Sequence, residues 1–168
     1  QVSEAAEKLD PAPYRNFVER CMSHQPWLWK DPRLWLTIRY WQQFIPAENV
    51  CYLGIHRDPL QSWISTTLRR QIQTFRQARD YEDGIHRSIA GFFAADATPS
   101  LDMLYEDLIR FPGRTIASIN QLAATELSEA DFVRIFRGKL YRKQHGLLNL
   151  AKACAILLKN RKQLAEKF

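Results

Sequence analysis

Short apolar segments alternate along this chain with longer segments of helical periodicity, and this alternation is the feature that most constrains the fold. Residues 50–55, VCYLGI, are apolar and partly β-branched, which predicts a strand covered on both faces, as in a parallel sheet. Residues 101–105 predict a second strand. Strands that alternate with helices predict a helix-rich α/β fold of three layers with a mostly parallel central sheet.

Two Asp-Pro pairs predict where helices begin. Asp at an N-cap followed by Pro at the first helical position is a strong start signal, and the chain has it at Asp31-Pro32 and at Asp58-Pro59. The first pair precedes an apolar stripe that ends near Pro46, and the second precedes a helical stretch to about Arg79. An earlier helix is expected from about Tyr14. Further helices are expected over residues 81–95, 107–124, 128–136 and 147–166.

Composition indicates one globular domain over residues 1–168. Hydrophobic residues make up 46% of the 168, which is enough for a core of ordinary domain size.

No segment approaches the ~20 continuous apolar residues of a membrane-spanning helix, and the first residues lack the pattern of a signal peptide. Three distant cysteines, Cys21, Cys51 and Cys154, suggest neither a disulfide framework nor a metal site. We therefore expect a cytoplasmic protein without a membrane partner.

The positive charge is concentrated at the C-terminal end. Residues 134–168 carry ten Lys or Arg and one acid, a net +9, whereas residues 1–133 carry 14 bases and 17 acids, a net −3. Such a segment could attract nucleic acid, an acidic membrane surface, or a phosphorylated or sulfated small molecule. A solvated helix face explains the same charges.

Three segments in order resemble the sulfotransferase superfamily. They are WKDPR at residues 29–33, RDP at residues 57–59 with Ser65, and YEDL at residues 105–108. The resemblance implies a P-loop NTPase-like fold and a nucleotide co-substrate, 3′-phosphoadenosine 5′-phosphosulfate (PAPS). The family opens with a strand and a phosphate loop, and nothing upstream of Tyr14 resembles them. We therefore expect a sulfotransferase-like domain that lacks its N-terminal strand and phosphate loop.

Arg57 and Ser65 match the residues with which the family holds the 3′-phosphate of the donor. An arginine fork supplies fixed, charged donors suited to phosphate oxygens, and a serine hydroxyl adds a further hydrogen bond. Ser65 lies about two turns into the expected helix, ~10 Å along its axis, so spacing alone does not bring the two side chains together. Each residue taken singly also fits an ordinary surface position.

Lys30, Arg57 and the residues after Tyr105 are all expected at strand ends, where ligands bind in such sheets. Tyr105 and Lys30 match two further positions of the family. Tyr105 resembles the tyrosine that contacts adenine, although a strand-end aromatic packed on a helix fits the residue equally well. Lys30 resembles a lysine near the transferred sulfuryl group, where it would act in catalysis by offsetting developing charge; a solvated lysine at a strand end is the alternative. Glu106 and Asp107 are expected to cap the next helix and brace loops rather than to touch the donor.

Two parts of the site are not defined by the motifs. Arg142 and Lys143 lie in a basic segment that, by the resemblance, closes over the 3′-phosphate. Some relatives carry a histidine where this chain has Pro32, so the catalytic base is not identified. His24, His56 and His86 qualify only by residue type.

Three functions remain open on the sequence. The first is transfer of a sulfuryl group from PAPS to a hydroxyl or amine of a small-molecule or glycan acceptor, without a metal. The second is a non-catalytic sulfotransferase-like nucleotide-binding or scaffold domain. The third, ranked last because the aromatic residues fall mainly on expected buried stripes, is a basic nucleic-acid-binding module. Neither the acceptor nor the oligomeric state follows from the residues.

Overall fold

A computed structural model describes residues 8–24, 26–135 and 146–161. The chain divides into two compact units, one formed by Gln1–Tyr52 with Ile85–Ser100 and the other by Leu53–Gly84 with Leu101–Phe168. The expectation of a single domain stays a prediction.

The described residues form eight α-helices, two strands and two 3₁₀ turns. The strands are β1 (Tyr52–His56) and β2 (Ser100–Leu104), and the 3₁₀ turns are Gln42–Phe44 and Ala47–Asn49. The helices are α1 (Ala12–Met22), α2 (Leu34–Trp41), α3 (Pro59–Leu68), α4 (Phe75–Ala95), α5 (Tyr105–Arg110), α6 (Pro112–Ala123), α7 (Glu129–Ile135) and α8 (Leu147–Lys159).

Aromatic rings form the centre of the first unit. Six of them pack mostly edge to face, with centroids 4.6 to 6.4 Å apart: Tyr14, Phe17, Trp29, Tyr40, Trp41 and Phe44. This geometry is the one that ring quadrupoles favour. Burial raises the pKa of the Tyr40 hydroxyl above its usual range.

The first Asp-Pro pair makes a turn instead of starting a helix. Helix α2 begins at Leu34, two residues later than Asp31-Pro32 predicts. Asp31 Oδ1 accepts a hydrogen bond from the backbone N–H of Arg33 at 2.8 Å, and Asp31 Oδ2 pairs with the Arg33 guanidinium at 2.8 Å. The Asp31 side chain thus satisfies a nearby N–H outside the helix, which delays the first helical turn.

The second Asp-Pro pair starts a helix as predicted. Asp58 caps α3, and its side chain accepts a hydrogen bond from the N–H of Gln61 at 2.9 Å. Helix α3 packs against α8 through a small core. Four buried side chains define that core, and three partly buried leucines pack on it: Trp63, Ile64, Ala78 and Ala153, with Leu68, Leu150 and Leu157.

The predicted helix from Asp58 to Arg79 is interrupted. Helix α3 ends at Leu68, and Arg70 adopts a positive φ of 66°. Helix α4 then begins at Phe75, after a capping box in which Thr74 and Gln77 exchange hydrogen bonds between side chains and backbone N–H groups. The prediction of one continuous helix is wrong, because the residues before and after the cap at Thr74 both have helical periodicity and the cap was not recognised between them.

The two strands are adjacent and parallel, so the chain is helix-rich with a small α/β element. Leu53 and Ile55, which point to the same face of β1, are 39% and 55% exposed. The expectation of a strand covered on both faces is therefore wrong. The sheet described here has two strands, which give the apolar residues of β1 less cover than a wider layered sheet would.

The three helices predicted after β2 have different outcomes. The helix expected over residues 107–124 is split at Phe111, because Pro112 begins a new helix, α6. Helix α7 lies within one residue of its prediction at each end. Helix α8 begins at Leu147 as predicted, and its described part ends at Lys159. None of the described helices combines the length and apolar character needed to cross a bilayer.

Candidate functional site

Three side chains meet where β1 and β2 end. Arg57 directly follows β1, and Tyr105 and Glu106 directly follow β2. The Arg57 Cζ lies 5.9 Å from the centroid of the Tyr105 ring, and Arg57 Nε lies 3.8 Å from Glu106 Oε1. The carboxyl ends of adjacent parallel strands are a common ligand-binding position in α/β sheets. We call Arg57, Tyr105 and Glu106 the strand-end group.

Glu106 ties the two strand ends together from a buried position. The residue is 2% exposed. Its Oε2 accepts a hydrogen bond from the backbone N–H of Asp58 at 3.1 Å, while Oε1 faces the guanidinium of Arg57. A buried carboxylate is stable only when charges and donors compensate it, and both are supplied here by the loop after β1. The prediction that Glu106 braces a loop is confirmed, whereas the prediction that it caps the next helix is wrong, because its carboxylate bonds the loop after β1 and no N–H group of α5.

Arg57 is the cationic member of the strand-end group, and its side chain is 37% exposed. The ring of Tyr105 and the carboxylate of Glu106 limit the directions that the guanidinium can take. Helix α3 begins two residues later, so its N-terminal N–H groups add partial positive charge next to Arg57. The local electrostatics therefore combine one fixed cation with a helix N-terminus, partly offset by two carboxylates, Asp58 and Glu106.

Ser65 lies in the second turn of α3 and is half-buried. Helical spacing puts Ser65 on the stripe that runs from the N-cap residue Asp58 through Ser62, whereas Trp63 and Ile64 turn into the core. The convergence of Arg57 and Ser65 on one phosphate stays a prediction.

Lys30 belongs to the first unit and is exposed. The prediction that it lies at a strand end is wrong, because residues 27–30 form no regular secondary structure. Trp29 holds this segment by its side chain, with ring centroids 5.7 Å from Phe17 and 4.6 Å from Trp41, so the segment packs without strand pairing. The catalytic role of Lys30 stays a prediction.

The contacts of two candidate histidines, His24 and His56, can be described by distance. His24 Nδ1 lies 2.9 Å from the carbonyl oxygen of Arg20 and 2.9 Å from Ser23 Oγ, at the end of α1. His56 Nε2 lies 2.5 Å from Asp102 Oδ1 on β2. Sequence reasoning missed Asp102, although an acid inside the otherwise apolar segment LDML was a signal that it has a partner.

The remaining features relevant to a site are the basic segment, metal-ligating groups and ligand pockets. Arg142 and Lys143 lie outside the described residues. Within the described ranges, no group of three or more His, Cys, Asp or Glu side chains could hold a metal ion. An open groove lies along α1, lined by Pro13, Asn16, Glu19, Arg20 and Ser23.

The chain matches no protein-family model, no curated protein and no solved structure. The resemblance to sulfotransferases therefore rests on the sequence motifs. The strand-end group is the structural feature with which those motifs can be compared.

Proposed function

We propose that this chain carries the nucleotide-binding part of a PAPS-dependent sulfotransferase with a three-layer, P-loop-type α/β fold. The observation that supports this most is the meeting of Arg57 and Tyr105 at the ends of adjacent parallel strands. A phosphate requires a fixed cation, and a purine requires a flat apolar surface nearby. The strand-end group has both chemical features within one small region.

In the proposed reaction, a hydroxyl or amine of a small-molecule or glycan acceptor attacks the sulfur of the donor in line. The new bond from the acceptor to sulfur forms as the bond from sulfur to the bridging phosphate oxygen breaks, and the acceptor proton passes to a base. Adenosine 3′,5′-bisphosphate leaves. Such transfers depend mainly on positioning and electrostatic stabilisation.

Within this proposal each residue has one task. The terminal nitrogens of Arg57 and the hydroxyl of Ser65 hold the 3′-phosphate, and Tyr105 contacts the adenine. Glu106 forms an ion pair with Arg57 at 3.8 Å from Nε, which limits the directions that the guanidinium can take. Arg142 and Lys143 would close over the same phosphate, and Lys30 would face the transferred group.

Calorimetry with adenosine 3′,5′-bisphosphate tests the donor site. Arg57→Ala should weaken binding at least about tenfold, because a charge-assisted contact is worth about 1.5–3 kcal/mol. Ser65→Ala should weaken it less, because only one hydrogen bond of a neutral hydroxyl is lost. Arg76→Ala removes the same charge from a side chain that is 92% exposed, and should leave the affinity unchanged.

Equal affinities for the wild type and Arg57→Ala would refute the donor-site assignment. Equal losses in Arg57→Ala and Arg76→Ala would show that the nucleotide responds to net charge, as expected for a basic surface that binds polyanions without a specific site.

A second candidate is nucleotide binding without turnover, favoured by the composition of the strand-end group. Its carboxylate, Glu106, is 2% exposed and is committed to the Asp58 N–H and to Arg57, so it is not presented as a base. Conversion of PAPS to the bisphosphate in the presence of a panel of alcohols and amines separates the two candidates. Binding with no conversion would favour the second.

The proposed compartment is the reducing cytoplasm. Cys21, Cys51 and Cys154 are all unpaired thiols, which suits a reducing environment.

A further inference from the structure

A histidine–aspartate pair joins β1 to β2 one residue before Arg57. His56 Nε2 lies 2.5 Å from Asp102 Oδ1, so Nε2 carries the proton that the carboxylate accepts. The His56 side chain is only 12% exposed, whereas that of Asp102 is 40% exposed. The contact is therefore partly shielded from water on the histidine side, where charge-assisted hydrogen bonds are strengthened.

The contacts of Arg57 within the strand-end group both come from the segment that follows β2. Its Nε is 3.8 Å from Glu106 Oε1, which is longer than a hydrogen bond, and its Cζ is 5.9 Å from the Tyr105 ring centroid. Tyr105 and Glu106 both belong to the segment that directly follows β2. The position of the guanidinium against them therefore depends on how the end of β1 is held against β2.

Two side-chain ties hold those strand ends. One is the bond from the Asp58 N–H to Glu106 Oε2, one residue after Arg57. The other is the contact between His56 and Asp102, one residue before it. Arg57 is thus bracketed by two ties that both lead to β2 or to the helix directly after it.

We propose that His56, held by Asp102, is a positioning residue that orders Arg57 for anion binding. The consequence for nucleotide affinity rests on the function proposed above, whereas the ordering of Arg57 does not. His56 touches neither the donor nor the acceptor in this proposal. It acts only through the placement of the next residue.

The ordering can be measured without any ligand. The Nε–Hε group of each arginine gives its own signal in a ¹H–¹⁵N NMR spectrum, and the loss of one signal in Arg57→Lys assigns it. The heteronuclear NOE of the Arg57 signal then reports how rigid its side chain is. Arg39 supplies an internal control, because its guanidinium is held separately by Ser88 and Phe92.

Substitutions at Asp102 carry the test, because this residue is exposed enough to be changed without loss of the fold. Asp102→Leu should lower the NOE of Arg57 and leave that of Arg39 unchanged. His56→Leu should do the same, and His56→Gln should retain the wild-type NOE, because a glutamine amide can still donate to Asp102. Asp80→Leu, at a side chain 70% exposed, is the matched control and should have no effect. An unchanged NOE of Arg57 in Asp102→Leu would overturn the proposal, whatever happens to the His56 variants.

A second measurement links this ordering to binding. The affinity for adenosine 3′,5′-bisphosphate should fall up to about fivefold in Asp102→Leu, the factor expected for one cross-strand pair. The affinity should stay reduced in every variant in which Arg57 remains flexible. If the wild type binds no nucleotide while the NOE changes occur as expected, the donor site is refuted and the positioning role stands. If the nucleotide binds and Asp102→Leu alters neither the NOE nor the affinity, the positioning role alone is refuted.

Discussion

Replacement of Glu106 tests the physical basis of the strand-end group most directly. Glu106→Ala removes two interactions at once, the hydrogen bond from the Asp58 N–H and the ion pair with Arg57. It also removes two methylene groups from a residue that is 2% exposed. Glu106→Gln keeps the methylenes and an acceptor oxygen but loses the charge.

The two variants should differ in stability by a predictable amount. A hydrogen bond to a buried carboxylate contributes about 1.5–3 kcal/mol. The ion pair adds only about 0.5 kcal/mol, because Arg57 is 37% exposed and water screens the charges. With the lost packing, Glu106→Ala should reduce the free energy of unfolding by about 3 kcal/mol, and Glu106→Gln by about 1 kcal/mol.

Thermal unfolding followed by circular dichroism measures both. In a chain of this size, the midpoint should fall by about 6–12 °C for Glu106→Ala and by about 2–4 °C for Glu106→Gln. Glu48→Ala, at an exposed position, should leave the midpoint unchanged within error. Equal decreases in the midpoint for the alanine and glutamine variants would refute the reasoning. Both variants lose the charge, so equal decreases would mean that the charge contributes more to stability than the hydrogen bond and the packing.

Two further predictions concern single side chains. Thr67 is fully buried, and no described group bonds its hydroxyl, so Thr67→Val should raise the unfolding midpoint by about 2–4 °C. The control, Thr115→Val, should lower it, because the Thr115 hydroxyl donates to the Asp107 carbonyl; the opposite order would contradict this. Hydrogen bonds from Arg33 lower the pKa of Asp31 from 3.8 to about 2, so this carboxylate stabilises the fold above about pH 4 and loses that effect as the pH falls towards 2. An NMR titration of Asp31 checks the value, and Arg33→Ala should return it towards 3.8.

Local signals in the sequence predicted the elements that depend on local hydrogen bonds. Asp58-Pro59 starts α3 as expected, since the aspartate reaches an N–H three residues away within the same helix. The same dipeptide at Asp31 forms a turn, because Arg33 offers it both an N–H and a guanidinium. The dipeptide alone does not distinguish the two outcomes, because the competing partner is a side chain.

The motif residues were predictable by type and by place in the chain, but their contacts were not. Arg57 and Tyr105 were expected at strand ends, and both directly follow strands. Lys30 was expected at one and lies in an irregular segment instead, since Trp29 packs into an aromatic cluster that no periodicity reveals.

The amino-acid order by itself determined the apolar segments, the cap at Asp58 and the presence of an arginine directly after a strand, because each depends on neighbours within a few positions. Only the tertiary structure decided that Glu106 reaches Asp58 and Arg57 across 48 and 49 positions, and that Asp102 meets His56. Those contacts arise from the parallel pairing of β1 with β2, which brings distant residues to one edge of the sheet. Strand pairing is a long-range property of the backbone, and no local pattern of residues specifies it.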